Sequence, residues 1–411
     1  MSELEVHSVP LPNLQTLCSL ETIRNRSRFI FQRVQEDLGF FKIQEEKWPQ
    51  VVEWVDLTML ERYPEDIFPM HSRWRHFEVG EVKRVDALKE NLKHLSSIDR
   101  IASLWDLAII SVLVDAGAGS SWSYLDEKTS EVYSRSEGLA IASLDMFLKG
   151  LFSGDKSNPY QVDAVGLSAL TMDQFEKGMQ ISSTNVMVGA KDRFELLKAL
   201  GTTLEKNSMN RPGNLIHTWK DTWNTQGIEI QDLFTKVLLT FNSLWPKKNI
   251  VVDGYNFYDV WKHPLLPTDQ PYCGVIPFHK LTLWLVYSLI EPVIQEPNGK
   301  ILNWTNLPGL PEYRNGGLFV DMKLIIPKDL KAYEPEYEVY DPFIVEWRAL
   351  TIVLLDTLAT KLQKVKNMSP QELPLASVLE GGSWSAGRKL AKQLRSLASP
   401  PFKIKLTGTV F

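Results

Sequence analysis

Apolar residues recur every three or four positions along much of this chain, with charged residues between them. That spacing predicts amphipathic helices over residues 15–38, 86–115, 136–152, 191–207, 230–245, 279–294 and 343–365. Ser97, followed by Ile98 and Asp99, marks a helix restart inside the second stretch. Strand signals are few and short, at residues 248–257, 318–327 and 402–411. Asn315, Gly316 and Gly317 lie between two apolar runs and predict a turn. No repeat of fixed period stands out, and the loops 153–163 and 326–342 read as connections within one body. The pattern predicts a mainly α fold: one large helical domain over 1–411 with a few short β-strands. Its two lobes would meet near residues 115–140 and 277–350.

Composition narrows the class. Of 411 residues, 44% are hydrophobic and 23% charged, which is the balance of a soluble globular protein. The run 107–114 ends at Asp115, so it reads as a buried core element and not a membrane span. The first ten residues lack a basic stretch followed by an apolar one, so no secretory signal is expected. Two cysteines, Cys18 and Cys273, are too few for a disulfide framework or a thiolate zinc site. A reducing compartment follows: the cytoplasm, with presence in the nucleus not opposed. The net charge of −5 disfavours a nucleic-acid partner, and no membrane partner is expected. A small phosphorylated ligand needs only a local cluster of cations. The oligomeric state is not legible.

The familiar signatures of dinucleotide binding, phosphate loops, zinc proteases and serine hydrolases are absent. No metal site and no cofactor are expected. What remains is a set of polar islands. His71, Arg73, Arg75 and His76 crowd around Trp74; they would receive an anion, or form a solvated turn whose tryptophan plugs the core, and the second is favoured. Asp115 precedes a glycine-rich stretch, with Trp122 and Tyr124 beyond it as wall residues able to hydrogen-bond. Arg135, Ser136 and Glu137 stand where a helix begins, and its free N–H groups favour an anion. Lys280, Trp284, Tyr287 or Ser288, and Glu291 share roughly one helical face. The bland account is a lysine at a helix start and a glutamate before the stopping proline, but the macrodipole prefers the opposite order of charges. Glu312, Tyr313, Arg314 and Asp321 flank the Asn-Gly-Gly stretch. Glu346 and Arg348 interrupt a long apolar helix, as a structural ion pair or as part of a site. Several carboxylates, a few cations and aromatic walls are the equipment for cleaving a glycosidic bond.

Read in order, these islands resemble the fungal and bacterial uracil catabolism protein 4 family. The resemblance is carried by HSRWRHFE (71–78), DAGAGSSWSY (115–124), YSRSEGLAIASLDMF (133–147), PFHKLTLWLVYSLIEP (277–292), GLPEYRNGGLFVD (309–321), VEWRALTIVLLD (345–356), VLEGGSWSAGRKLA (378–391) and the final GTVF. It runs from about residue 15 to the end. It implies hydrolysis of the N-glycosidic bond of ribosylurea, as its 5′-phosphate, with release of urea. The alternative is a non-catalytic regulator that binds a pyrimidine nucleotide. A fainter likeness joins Tyr133–Ser136, Phe278–Lys280, Glu312–Arg314 and Glu346–Arg348 to the queuosine 5′-phosphate N-glycosidase family, and implies a DNA-glycosylase-like helical architecture. That family's aspartate at the anomeric centre is replaced here by Ser288, so Glu291 or Glu312 would take the task. The resemblance thus implies Glu312, with Glu291 or Asp321, as the catalytic acids. His279, Lys280 and Arg314 would hold phosphate, and Trp122 with Tyr124 would wall the urea end. Asp115 and Glu137 would accept urea N–H or ribose hydroxyl groups, and Glu346 with Arg348 would stand behind the site.

Overall fold

The structure is a computed structural model that describes residues 12–115, 121–244 and 249–405. It is 55% helical, and its strands among the described residues form six two-stranded sheets. The mainly α class holds. The described chain divides into two compact units, one drawn from residues 12–70, 249–280 and 305–405 and the other from 71–115, 121–244 and 281–304.

In the first unit, helix Leu20–Gln35 buries Leu20, Ile23, Ile30 and Val34 and packs on the long helix Pro342–Lys366. Arg24 seals that packing with a two-pronged ion pair to Asp356, at 2.9 and 3.1 Å. Residues 250–257, predicted as strand, form an antiparallel hairpin turned at Gly254 (φ 83°). Strand Phe41–Ile43 pairs with Ile325–Pro327. Of the expected strand at 318–327 only Ile325–Pro327 is strand: residues 318–321 end helix Tyr313–Asp321, and the Asn-Gly-Gly stretch lies inside that helix. The glycines serve close packing and not a turn. A Cβ on Gly316 would sit 2.7 Å from Thr351 Oγ1 and 2.8 Å from Trp347 Nε1.

In the second unit, helix Ser97–Leu113 is buried from Ile101 to its end and packs on helix Arg135–Leu148. Ser96 caps it, accepting from the Asp99 N–H. Mid-helix Asp106 is fully buried. It accepts from the Val162 and Gly213 N–H groups at 3.0 and 2.6 Å and from Arg211 Nε at 2.8 Å, tying two loops to the helix. Antiparallel strands Ser123–Asp126 and Glu131–Ser134 form a hairpin just before Arg135–Leu148.

Candidate functional site

The chemistry-bearing residues gather in two clusters, one in each unit. In the second unit the short helix Arg73–Phe77 carries the basic island. The expectation of a solvated turn is wrong for most of it: Arg73 is fully buried, and His71 and His76 nearly so. Only the core-filling role of Trp74 holds, its indole N–H donating to the Ser288 carbonyl at 2.7 Å. A buried guanidinium needs partners, and Arg73 finds Asp115 at 2.8 Å, Ser111 at 2.7 Å and the Ser136 carbonyl at 3.1 Å. Its Nη2 is buried without an acceptor. Trp284 donates to Asp115 at 3.3 Å and packs 4.6 Å from the His71 ring.

Ser288 and Glu291, one turn apart on helix Lys280–Ile294, face this same segment. Ser288 accepts from the Arg73 N–H at 3.0 Å. Glu291 meets Ser72 and the Arg75 guanidinium, the latter at 2.6 Å. Burial pushes the Glu291 carboxyl above its usual range, against the pull of Arg75. Arg135 opens its helix at φ 54°, in the left-handed region, a conformation that costs a non-glycine residue roughly 1–3 kcal/mol. Glu137 in the first turn of that helix acts electrostatically on Arg73. Asp115, Ser136, Ser288 and Glu291 are thus brought together around residues 72–75. Trp122 and Tyr124 are not: Trp122 is fully buried with its N–H on the Met179 carbonyl at 2.9 Å, and the Tyr124 hydroxyl is held by Asp145 at 2.8 Å. Both belong to the core, because their polar atoms are already satisfied inside it. Residues 116–120, the glycine-rich stretch after Asp115, lie outside the described residues.

In the first unit Glu312 is the N-cap of helix Tyr313–Asp321. Its carboxylate accepts from the Arg314 N–H at 2.8 Å and the Asn315 N–H at 2.7 Å. Arg314 is 7% exposed, and its Cζ lies 5.1 Å from the Tyr313 ring centre and 5.2 Å from that of Trp384. Asp321, expected as a catalytic acid, closes the far end of the helix, where Arg395 holds both its oxygens at 2.7 and 2.6 Å. Its charge is already neutralised there.

Glu346 and Arg348 do not pair with each other. Two residues apart on a helix, they point away from one another. Arg348 clasps buried Asp259 in a fork at 2.7 and 2.9 Å, with its guanidinium 4.1 Å from the Phe278 ring centre. Burial alone would raise the Asp259 carboxyl; Arg348, Trp261 and the Lys280 N–H together hold it below the usual range. Glu346 instead accepts from the Phe40 and Phe41 N–H groups at 2.6 and 3.0 Å, and lies 3.6 Å from His263. Burial pushes Glu346 up to about 7 and His263 down to about 4. His279, expected to help hold a phosphate, is fully buried with Nε2 2.8 Å from the Leu17 carbonyl. Burial lowers its pKa to about 4, so the ring is neutral near pH 7 and brings no cation. Half-buried Lys280 starts its helix, with its N–H on Asp259 at 2.9 Å.

Sequence reasoning missed Asp259 and Trp384, and it set Arg73 aside as part of a solvated turn. Asp259 sits in a segment that reads as strand and turn, and the signal for it was indirect: an arginine inside an apolar helix requires a buried acid somewhere. Among the described residues no group of three or more His, Cys, Asp or Glu is arranged to hold a metal ion, and no helix is long and apolar enough to cross a membrane.

Comparison with known proteins covers nearly the whole chain. Protein urg3 of Schizosaccharomyces pombe is 37% identical over 403 residues, spanning 96% of this chain and 98% of that protein. Uracil catabolism protein 4 of Lachancea kluyveri is 34% identical over 435 residues, with the same coverage of 96% and 98%. Residues 16–411 match the family described as Protein of unknown function (DUF1688), and the chain belongs to it.

Proposed function

We propose that this protein acts in uracil catabolism, as the name of its relative from Lachancea kluyveri suggests, and that it hydrolyses the N-glycosidic bond of ribosylurea 5′-phosphate. Water adds across the bond: its oxygen joins C1′ of the sugar, the C1′–N bond breaks, and a proton goes to the departing urea nitrogen. The observation that carries this reading is an acid and an uncompensated cation fixed at one helix start. Glu312 is held rigid by two N–H donors, yet each carboxylate oxygen keeps a second lone pair for the sugar or the attacking water. Arg314, two residues on, is buried without an ion pair and is free to take the phosphate. Developing positive charge at C1′ is what a preorganised carboxylate stabilises.

The test is urea release from ribosylurea 5′-phosphate by the purified protein. Glu312→Gln is expected to lower kcat on the order of 100-fold or more while the protein stays folded. Wild-type turnover in that variant would overturn the assignment. Urea leaves readily only when protonated, so the rate is expected to fall on the alkaline side as the proton donor ionises.

One observation favours a second reading. Both Glu312 oxygens already cap a helix, which suits a protein that binds a pyrimidine nucleotide to regulate the pathway without catalysis. That protein would bind the nucleotide and release no urea on prolonged incubation.

A further inference from the structure

Arg314 has a setting that an ordinary structural arginine does not need. Its side chain is more than nine-tenths buried, its Nη1 is buried without an acceptor, and no carboxylate pairs with it among the described residues. An unpaired buried cation is costly. Other buried arginines of this unit are matched: Arg348 has Asp259, and Arg26 donates to the Val275 and Pro271 carbonyls. Arg314 has two aromatic rings instead, Tyr313 and Trp384. A ring attracts the cation through its π face and takes none of its N–H donors, so the two contacts hold the guanidinium without using its fork.

Trp384 reaches that position through an uncommon device. Residues Val378–Ser383 form a π-helical turn leading directly into helix Trp384–Leu394. Such a turn accommodates an additional residue, and each residue rotates a helix by about 100°. The indole is thereby swung onto Arg314. The turn is anchored on both sides: Glu380 pairs with Arg62 at 2.7 Å, and Ser383 donates to Asn315 at 2.8 Å. Gly387 lets the helix close on its neighbour, since a Cβ there would stand 2.2 Å from the Arg314 carbonyl oxygen. Arg395 and Asp321 lock the same two helices at their other ends. These contacts hold the Trp384 helix against the helix that carries Arg314.

We propose that Tyr313, Arg314 and Trp384 form a receptor for a phosphoryl group, and that Trp384, set by the π turn, is the positioning residue that makes the site select phosphorylated over unphosphorylated ribosides. The ligand class rests on the N-ribosyl hydrolase reading; the oxyanion receptor does not. The fork keeps its N–H donors for a coplanar acceptor, and a phosphate presents two oxygens at that spacing.

Calorimetric titration with ribose 5-phosphate, ribose and inorganic phosphate tests this in wild type, Trp384→Leu, Trp384→Phe and Arg314→Lys, with a melting curve for each. Wild type is expected to bind ribose 5-phosphate over ribose and to lose it to competing phosphate. Trp384→Leu and Arg314→Lys should weaken ribose 5-phosphate at least about tenfold and leave ribose unchanged, while Trp384→Phe keeps a ring on the fork and most of the preference. Should Trp384→Leu fail to fold, Trp384→Phe and Arg314→Lys decide. Unchanged preference in folded Trp384→Leu, or in Arg314→Lys, would overturn the proposal. Because the readout is binding, a receptor that holds ribose 5-phosphate while the wild type releases no urea would sink the hydrolase reading and leave this one standing.

Discussion

At the scale of single residues, Glu312 carries two duties that can be separated by measurement. As an N-cap it satisfies two orphan N–H groups, and losing such a cap costs about 1 kcal/mol. Glu312→Ala should therefore lower the free energy of urea unfolding by about that amount, and Glu312→Asp by less, since a shorter carboxylate still caps. If the glutamate only caps, Glu312→Asp should turn over like wild type; if it acts at the sugar, the aspartate variant should be stable and slow. Arg348 offers the contrast of a purely structural ion pair. Removing its guanidinium in Arg348→Met leaves Asp259 charged and buried, and breaking such a pair costs about 3–5 kcal/mol. A loss below 1 kcal/mol would mean that Asp259 is rescued by Trp261 and the Lys280 N–H alone.

At the scale of elements, long periodic helices were legible because burying one face imposes a period, as in Leu20–Gln35 and Ser97–Leu113. Helix Tyr313–Asp321 was not. Its Asn-Gly-Gly has poor helix propensity, and only the neighbouring helix Pro342–Lys366 explains why glycine is there. The basic island at 71–76 was misread for a related reason: its partners Asp115, Ser111, Ser136 and Ser288 come from three other segments, and no local pattern announces them. The π turn at Val378–Ser383 is equally invisible, since Glu-Gly-Gly-Ser reads as a loop. The two glycines of Tyr313–Asp321 give a sharp test. Alanine is the better helix former by about 1 kcal/mol. Gly316→Ala should nonetheless destabilise by about 1–3 kcal/mol, because its Cβ would press on Thr351 and Trp347. Gly317→Ala meets only Pro401, at 3.3 Å, and should stay within about 1 kcal/mol of wild type. Equal effects of the two in urea unfolding would refute the packing explanation.

For the molecule as a whole, buried groups held neutral set how stability responds to pH. Glu346 titrates at about 7 in the fold against an ordinary 4.5. The folded state then binds its proton more tightly than the unfolded chain does, so the neutral carboxyl's advantage is full below 4.5 and is lost as pH rises toward 7. His263, at about 4 against 6.5, has the opposite sign: the fold favours its neutral ring, and stability is lost as pH falls from 6.5 toward 4. The two slopes oppose one another between about pH 4.5 and 6.5, which flattens the wild-type profile there. Removing one partner should expose the other. Glu346→Gln keeps an oxygen for the Phe40 and Phe41 N–H groups but no longer ionises. Relative to wild type it should gain about 2–3 kcal/mol between pH 5 and pH 8, because about two pH units of the window from 4.5 to 7 lie above pH 5, at about 1.4 kcal/mol each. His263→Gln should show the reverse, gaining on wild type as the pH falls from 7 to 5. Urea unfolding of the three proteins at several pH values measures both slopes. Parallel profiles for wild type and Glu346→Gln would mean that the carboxyl reaches water and titrates normally, despite the two N–H groups and the imidazole that surround it.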